Sequence, residues 1–151
     1  MSTLIQGDQV RSILFGQRAE KSTGTLAATT IPLFTIAGGV VAVTGIYGEV
    51  TTAITVANSY KLQANPTTGT TKDLCAATDI GTTDTPAGNL LGFQGLTGDS
   101  ILTGPGAVPG LKQPIYVNTG QIESVSAGTD GVILWVVTWV PITTGATLVA
   151  A

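Results

Sequence analysis

Among side chains that could do chemistry, histidine comes first, and the chain has none in its 151 residues. Its absence removes the commonest general base and metal ligand, and with them any Ser-His-Asp or Cys-His nucleophile pair. One cysteine, Cys75 in Leu74-Cys75-Ala76-Ala77, allows no intrachain disulfide and no zinc site of the usual kinds. Its apolar flanks mark it as core filler. Nine carboxylates are scattered as Asp8, Glu20, Glu49, Asp73, Asp79, Asp84, Asp99, Glu123 and Asp130. A glycosidase pair would set two of them across a cleft that usually also carries aromatic platforms, and aromatic residues make up 5% of the chain. Solvated loop carboxylates are the expectation. Asp73, Asp79 and Asp84 could offer oxygens to calcium, although their spacing matches no EF-hand loop. The glycine run from Gly104 to Gly110 lacks the Gly-Lys-Ser/Thr ending of a phosphate loop. No catalytic residue, cofactor or metal is expected, and the chain reads as a non-enzyme.

Composition narrows the partners. Charged residues are 10% of the chain, against about 25% in an ordinary soluble domain, and the mean hydropathy is +0.40. Threonine, about one residue in six, is the substitute: its hydroxyl hydrates while its branched Cβ favours strands. Contacts with neighbouring subunits are the other way to cover such a surface. The net charge of −3 comes with six basic residues. Arg11, Arg18 and Lys21 are interleaved with Asp8 and Glu20, so no basic patch exists to displace counterions from phosphates, and nucleic acid is excluded. The stretches Ser22 to Gly48 and Gly131 to Ala151 carry no charge, but Pro32, Gly38, Gly39 and Gly45 break the first and Pro141 and Gly145 the second. Both are rich in Val, Ile and Thr, which favours strands over membrane helices. The start of the chain shows no basic region followed by an unbroken apolar run, so the chain is expected to stay where it is made.

The elements that would position any site are short strands. Twenty glycines and seven prolines chop the chain into segments too short for long helices. Val50 to Val56 and Tyr60 to Asn65 alternate with a period of two, and Asn58-Ser59 between them predicts a hairpin turn with Asn at positive φ. Ile31 to Ile36 and Val40 to Tyr47 flank Gly38-Gly39, a second hairpin signal, with Pro32 placing the first strand at an edge or its beginning. Leu74 to Ala77, Leu90 to Phe93 and Ile101-Leu102 are weaker strands. Asp79 to Asn89 and Gly104 to Gly110 read as loops. Ile115 to Val117 and Gln121 to Ser126 are strands joined across Asn118-Thr119-Gly120. Val132 to Val140 is apolar on both faces, with Trp135 and Trp139 sharing the face that anchors a core, so it needs cover on both sides. Asp8 to Lys21 is faintly helical, with Asp8 as N-cap and Gly16 against it; an extended arm is the alternative. The chain is therefore expected to be all-β, a β-sandwich or barrel of jelly-roll type, with a single domain over 31–151 behind an N-terminal arm or helix over 1–30.

The run Val43-Thr44-Gly45-Ile46-Tyr47-Gly48-Glu49-Val50-Thr51-Thr52 resembles small structural proteins of tailed bacteriophages. So do Leu62 to Ala76, with Asn65-Pro66-Thr67-Thr68-Gly69 at its centre, and Gly131 through Pro141. The likeness covers about Ile31 to Ile142, rests on turn and strand residues, and points to head decoration, or cement, proteins. It implies a β-rich module, commonly trimeric, docked where major capsid subunits meet on the outside of the virion, after synthesis in the bacterial cytoplasm. Many modest contacts repeated over a lattice add by avidity, which suits a charge-poor module with no catalytic set. The partner contact is expected at Arg11, Ile13, Leu14, Phe15 and Arg18. A tail or baseplate component is the alternative within the same class, and a carbohydrate-binding β-sandwich the alternative outside it.

Overall fold

The computed structural model describes Leu4 and residues 6–151, without the side chains of Asp8, Gln9 and Arg11. A helix, α1 (Gly7–Phe15), precedes twelve strands: β1 (Gln17–Thr25), β2 (Thr30–Ala37), β3 (Val41–Thr52), β4 (Ser59–Pro66), β5 (Lys72–Asp73), β6 (Thr78–Asp79), β7 (Asn89–Gly92), β8 (Leu102–Pro105), β9 (Ile115–Val117), β10 (Gly120–Ser126), β11 (Val132–Pro141) and β12 (Thr147–Ala150). One sheet runs β1-β11-β3-β7-β8, with β9 also on β3, and the other runs β12-β2-β10-β4-β5, with β6 also on β4. All pairings are antiparallel. The protein is an all-β sandwich of these two sheets.

Period-two alternation supplies the core. In β11, Ile133, Trp135, Val137 and Trp139 are buried and face the second sheet, which answers with Leu62 and Tyr60 from β4 and Ile122 from β10. Trp135 and Tyr60 form the central contact. Their rings stack at 6.2 Å with an interplanar angle of 4°, and the Trp135 Nε1–H donates to the Tyr60 hydroxyl at 2.8 Å. Gly48 sits opposite Trp135 in the ladder; a Cβ there would meet the indole at 3.2 Å and Ile133 at 2.9 Å, so only glycine leaves the ring its space.

Several expectations need correction, and one cause runs through them. The long strands alternate between sheets, with β1, β3 and β11 in the first and β2, β4 and β10 in the second, and the short β12 follows into the second. Gly38-Gly39 and Asn58-Ser59 are therefore arches from sheet to sheet and not hairpin turns, and Asn118-Thr119-Gly120, which joins two strands as expected, is an arch of the same kind. Asn58 has no positive φ, since among the described residues every one in that conformation is a glycine. Both predicted strands Val40 to Tyr47 and Val50 to Val56 belong to one continuous β3 that ends at Thr52. Leu74 to Ala77 is not a strand: Leu74 and Cys75 dip into the core between β5 and β6. The start of the Gly104 to Gly110 loop is instead the end of β8. Pro32 is inside β2 at a place with no β12 neighbour, because β12 reaches only to Phe34. The expected arm over 1–30 is divided, since residues 17–25 form β1 and pair with β11 from Gln17 to Thr25. β12 was not anticipated.

Replacing Tyr60 by Phe leaves the buried indole N–H of Trp135 without its acceptor. The expected loss is about 1–3 kcal/mol, seen as a lower urea midpoint with an unchanged slope.

Candidate functional site: the N-terminal helix and the face beside it

The expected contact residues fall on two different elements. Helix α1 gathers Val10, Ile13 and Leu14 at helical spacing, and Phe15 ends it. Ile13, Leu14 and Phe15 are 71%, 69% and 58% exposed. The helix stops because Gly16 takes φ +87°, donates its N–H to the Ser12 carbonyl at 3.0 Å, and lies against the Trp139 carbonyl where a Cβ would stand 2.1 Å away. No other residue type fits that junction. Thr44 then fastens the last turn by donating its hydroxyl to the Phe15 carbonyl at 2.6 Å, and it shares a 2.9 Å hydrogen bond with the Thr138 hydroxyl.

Arg18 is not on this helix. It stands in β1, ion-paired with Glu20 at 2.5 Å. The Arg11 side chain lies outside the described residues. The predicted helical stretch to Lys21 thus ends at Phe15, and the apolar part of the expected site is separated from Arg18 by the Gly16 junction.

Sequence reasoning missed the surface next to the helix. On the solvent side of β11, Leu134, Val136, Thr138 and Val140 alternate with the core residues, and a groove of about 270 Å³ is lined by Tyr47, Leu90, Val108, Val136 and Thr138. The two-faced apolar character of Val132 to Val140 was its signal; what could not be read was which loops would flank it. A second cleft of about 340 Å³ opens between the sheets, with Ala64, Leu74, Ile115 and Val117 among its walls and Lys72 beside them.

Four carboxylates, Asp73, Asp79, Glu123 and Asp130, serve as structural acceptors. Asp130 takes the Thr55 N–H at 2.8 Å and hydroxyl at 2.7 Å, and the Val56 N–H at 3.2 Å. Asp79 takes the N–H groups of Asn58, Gly81 and Thr82 and the Thr82 hydroxyl. Asn58, fully buried, accepts from the N–H groups of Ala127 and Gly128 and donates to Ser126. Glu123 accepts from Gln63 and Asn65 at 2.7 and 2.9 Å, and Asp73 pairs with Lys61 at 2.8 Å. Among the described residues no three acidic or cysteine side chains come close enough to hold a metal ion, and Asp73 and Asp79 are committed to these separate partners. Cys75 is buried; its Sγ accepts from the Leu62 N–H at 3.3 Å, and burial pushes the thiol up to about 11. Among the described residues no helix is long and apolar enough to cross a membrane.

No protein-family model matches this chain, nor does any curated protein or solved structure.

Hydrogen bonds from Thr82 and backbone amides hold Asp79, and bonds from Thr55 hold Asp130, below the usual carboxylate range. A depressed folded pKa contributes stability above the unfolded value of about 3.9, lost as pH falls through the folded value. Asp130→Ala is expected to melt below wild type at about pH 6, with the two Tm values converging as the pH falls below the ordinary carboxylate range and the folded carboxylate takes up its proton. A Tm gap that persists in acid would show that the clamp is not electrostatic.

Proposed function

We propose that this protein is a structural virion component, a head decoration or cement subunit that binds the lattice of a bacteriophage major capsid protein and stabilises the head from outside. The observation that supports it is α1: three large apolar side chains, Ile13, Leu14 and Phe15, held out from the sandwich on a helix whose junction is fixed by Gly16 and Thr44. An isolated helix of nine residues is marginal in water, and apolar residues clustered on it mark a surface that a partner covers. The groove along Tyr47, Val136 and Thr138 continues that surface, because Thr138 bonds to the same Thr44 that holds the helix. Helix-in-groove contact uses apolar anchors at this spacing, and repetition over a capsid multiplies a weak single contact. The reading needs no cofactor, and the partner is a protein, with neither nucleic acid nor membrane involved.

Binding to purified heads is the test. A chain lacking residues 1–15 keeps β1 whole, and it is expected to fold and to lose co-sedimentation with capsids by tenfold or more; Leu14→Asp in the full chain should act in the same direction. Undiminished binding by both variants rejects the helix as the contact, and a wild-type chain that ignores heads rejects the reading itself.

A further inference from the structure

The margins of the two sheets are unequal. β5, β8 and β12 are two to four residues long, and β8 ends on Pro105. β1 has nine residues and is bonded on one side to β11; among the described residues no strand pairs with its other side, and Lys21 reaches from it to the carbonyl of Ala151. A long edge offers a row of N–H and C=O groups to another chain, and proteins that avoid such pairing blunt the edge with lysines, proline or a bulge. The stretch from Gln17 to Ser22 is regular in register, the irregularity coming only after Ser22.

Its one lysine, Lys21, turns to the carbonyl of Ala151 of its own chain, and its outward-facing charges do not blunt it. Arg18 and Glu20 lie two apart on the solvent face, opposite Thr138 and Val136, are 58% and 48% exposed, and touch each other at 2.5 Å. Blunting by charge uses one sign, so that a second copy is repelled. Opposite signs at i and i+2 do the reverse. An antiparallel pair of β1 strands with its two-fold axis at Ala19 sets Arg18 of each copy opposite Glu20 of the other, and Gln17 opposite Lys21. Moving the axis to Arg18 sets arginine against arginine, and moving it to Glu20 sets glutamate against glutamate, both unfavourable directly across a ladder.

We infer that two copies of this chain pair edge to edge through β1, antiparallel and in register at Ala19, joining their first sheets into one continuous sheet. The contact is isologous, so each copy uses its edge once and the assembly closes at two. Backbone hydrogen bonds supply the attraction, and the four charges fix the register, since exposed ion pairs add little energy individually. The result is a two-fold dimer and not the trimer that the phage resemblance implies. It does not depend on capsid binding: the mass of the free chain decides this inference, and co-sedimentation with heads decides the other.

Analytical ultracentrifugation of the full chain should give a dimer. Arg18→Glu and Glu20→Arg each surround the axis with like charges and are expected to raise the dissociation constant tenfold or more, while the double exchange R18E/E20R restores it. Both side chains are exposed, and an unchanged far-UV spectrum verifies the fold. Ala19→Cys provides the register: cross-strand Cα atoms about 4.5–5.5 Å apart lie within disulfide reach, so mild oxidation should link two copies, whereas Gln17→Cys alone should not link. A monomer at every concentration, an oligomer indifferent to both charge reversals, or an Ala19→Cys chain that stays unlinked overturns the inference.

Discussion

The stacked pair of Trp135 and Tyr60 sets the terms for the sandwich. It is the one ring stack among the described residues, and its hydrogen bond crosses from β11 in the first sheet to β4 in the second. Sheets in such packings sit about 10 Å apart, and two large rings bridging that gap demand small neighbours. Gly48 provides one beside the indole, and Cys75, packed where Leu62 donates its N–H, fits the small space beyond β4. Burial keeps the phenol far above the ordinary tyrosine range. The pair therefore stays neutral and dry, and the aliphatic residues around it complete the interdigitation.

Because successive long strands go to opposite sheets, the connections carry loads that hairpin turns do not. Each arch must hold its backbone polar groups without a neighbouring ladder. The solution at residues 53–58 is three side chains: Asp130 on Thr55 and Val56, Asp79 on Asn58, and Asn58 itself on Ala127 and Gly128. At the other arches Thr119 and Thr143 receive the N–H groups of Gly39 and Val40. Asp79 and Asp130 thus act as structural acceptors at this arch. Threonine does similar work at many points, which is a second reason for its abundance besides strand preference.

Much of the fold was legible because period-two alternation reports directly on burial. Val132 to Val140, Tyr60 to Asn65 and Ile115 to Val117 became strands within a residue or so of expectation. Partnership between strands was not legible: Asn58-Ser59 carries the same local chemistry whether the chain turns back in its own sheet or crosses to the other, and the choice is made by where the dry faces must meet. Short strands such as β12 lack enough alternation to stand out. At the candidate site, the apolar residues Ile13, Leu14 and Phe15 were legible as a cluster, but their separation from Arg18 was not, because it depends on Gly16 meeting the Trp139 carbonyl from a strand more than a hundred residues away.

The surface divides its few strong features by kind, and that division bears on how the chain would assemble. Val10, Ile13, Leu14 and Phe15 make α1 a run of exposed apolar residues, with Tyr47 and the groove beside it, whereas the exposed Arg18–Glu20 pair is on the neighbouring edge strand. In a protein with ordinary charge density a single Arg-Glu pair would be lost among many. Here charged residues are a tenth of the chain, so an opposite-sign pair on a long free edge carries most of the register information available to it. Apolar contact is strong but tolerant of sliding, while a ladder with charges is weaker and specific. On the two proposals made above, a chain that presents both, a few residues apart across the Gly16 junction, gives the edge to its own copy and keeps the helix for a different partner.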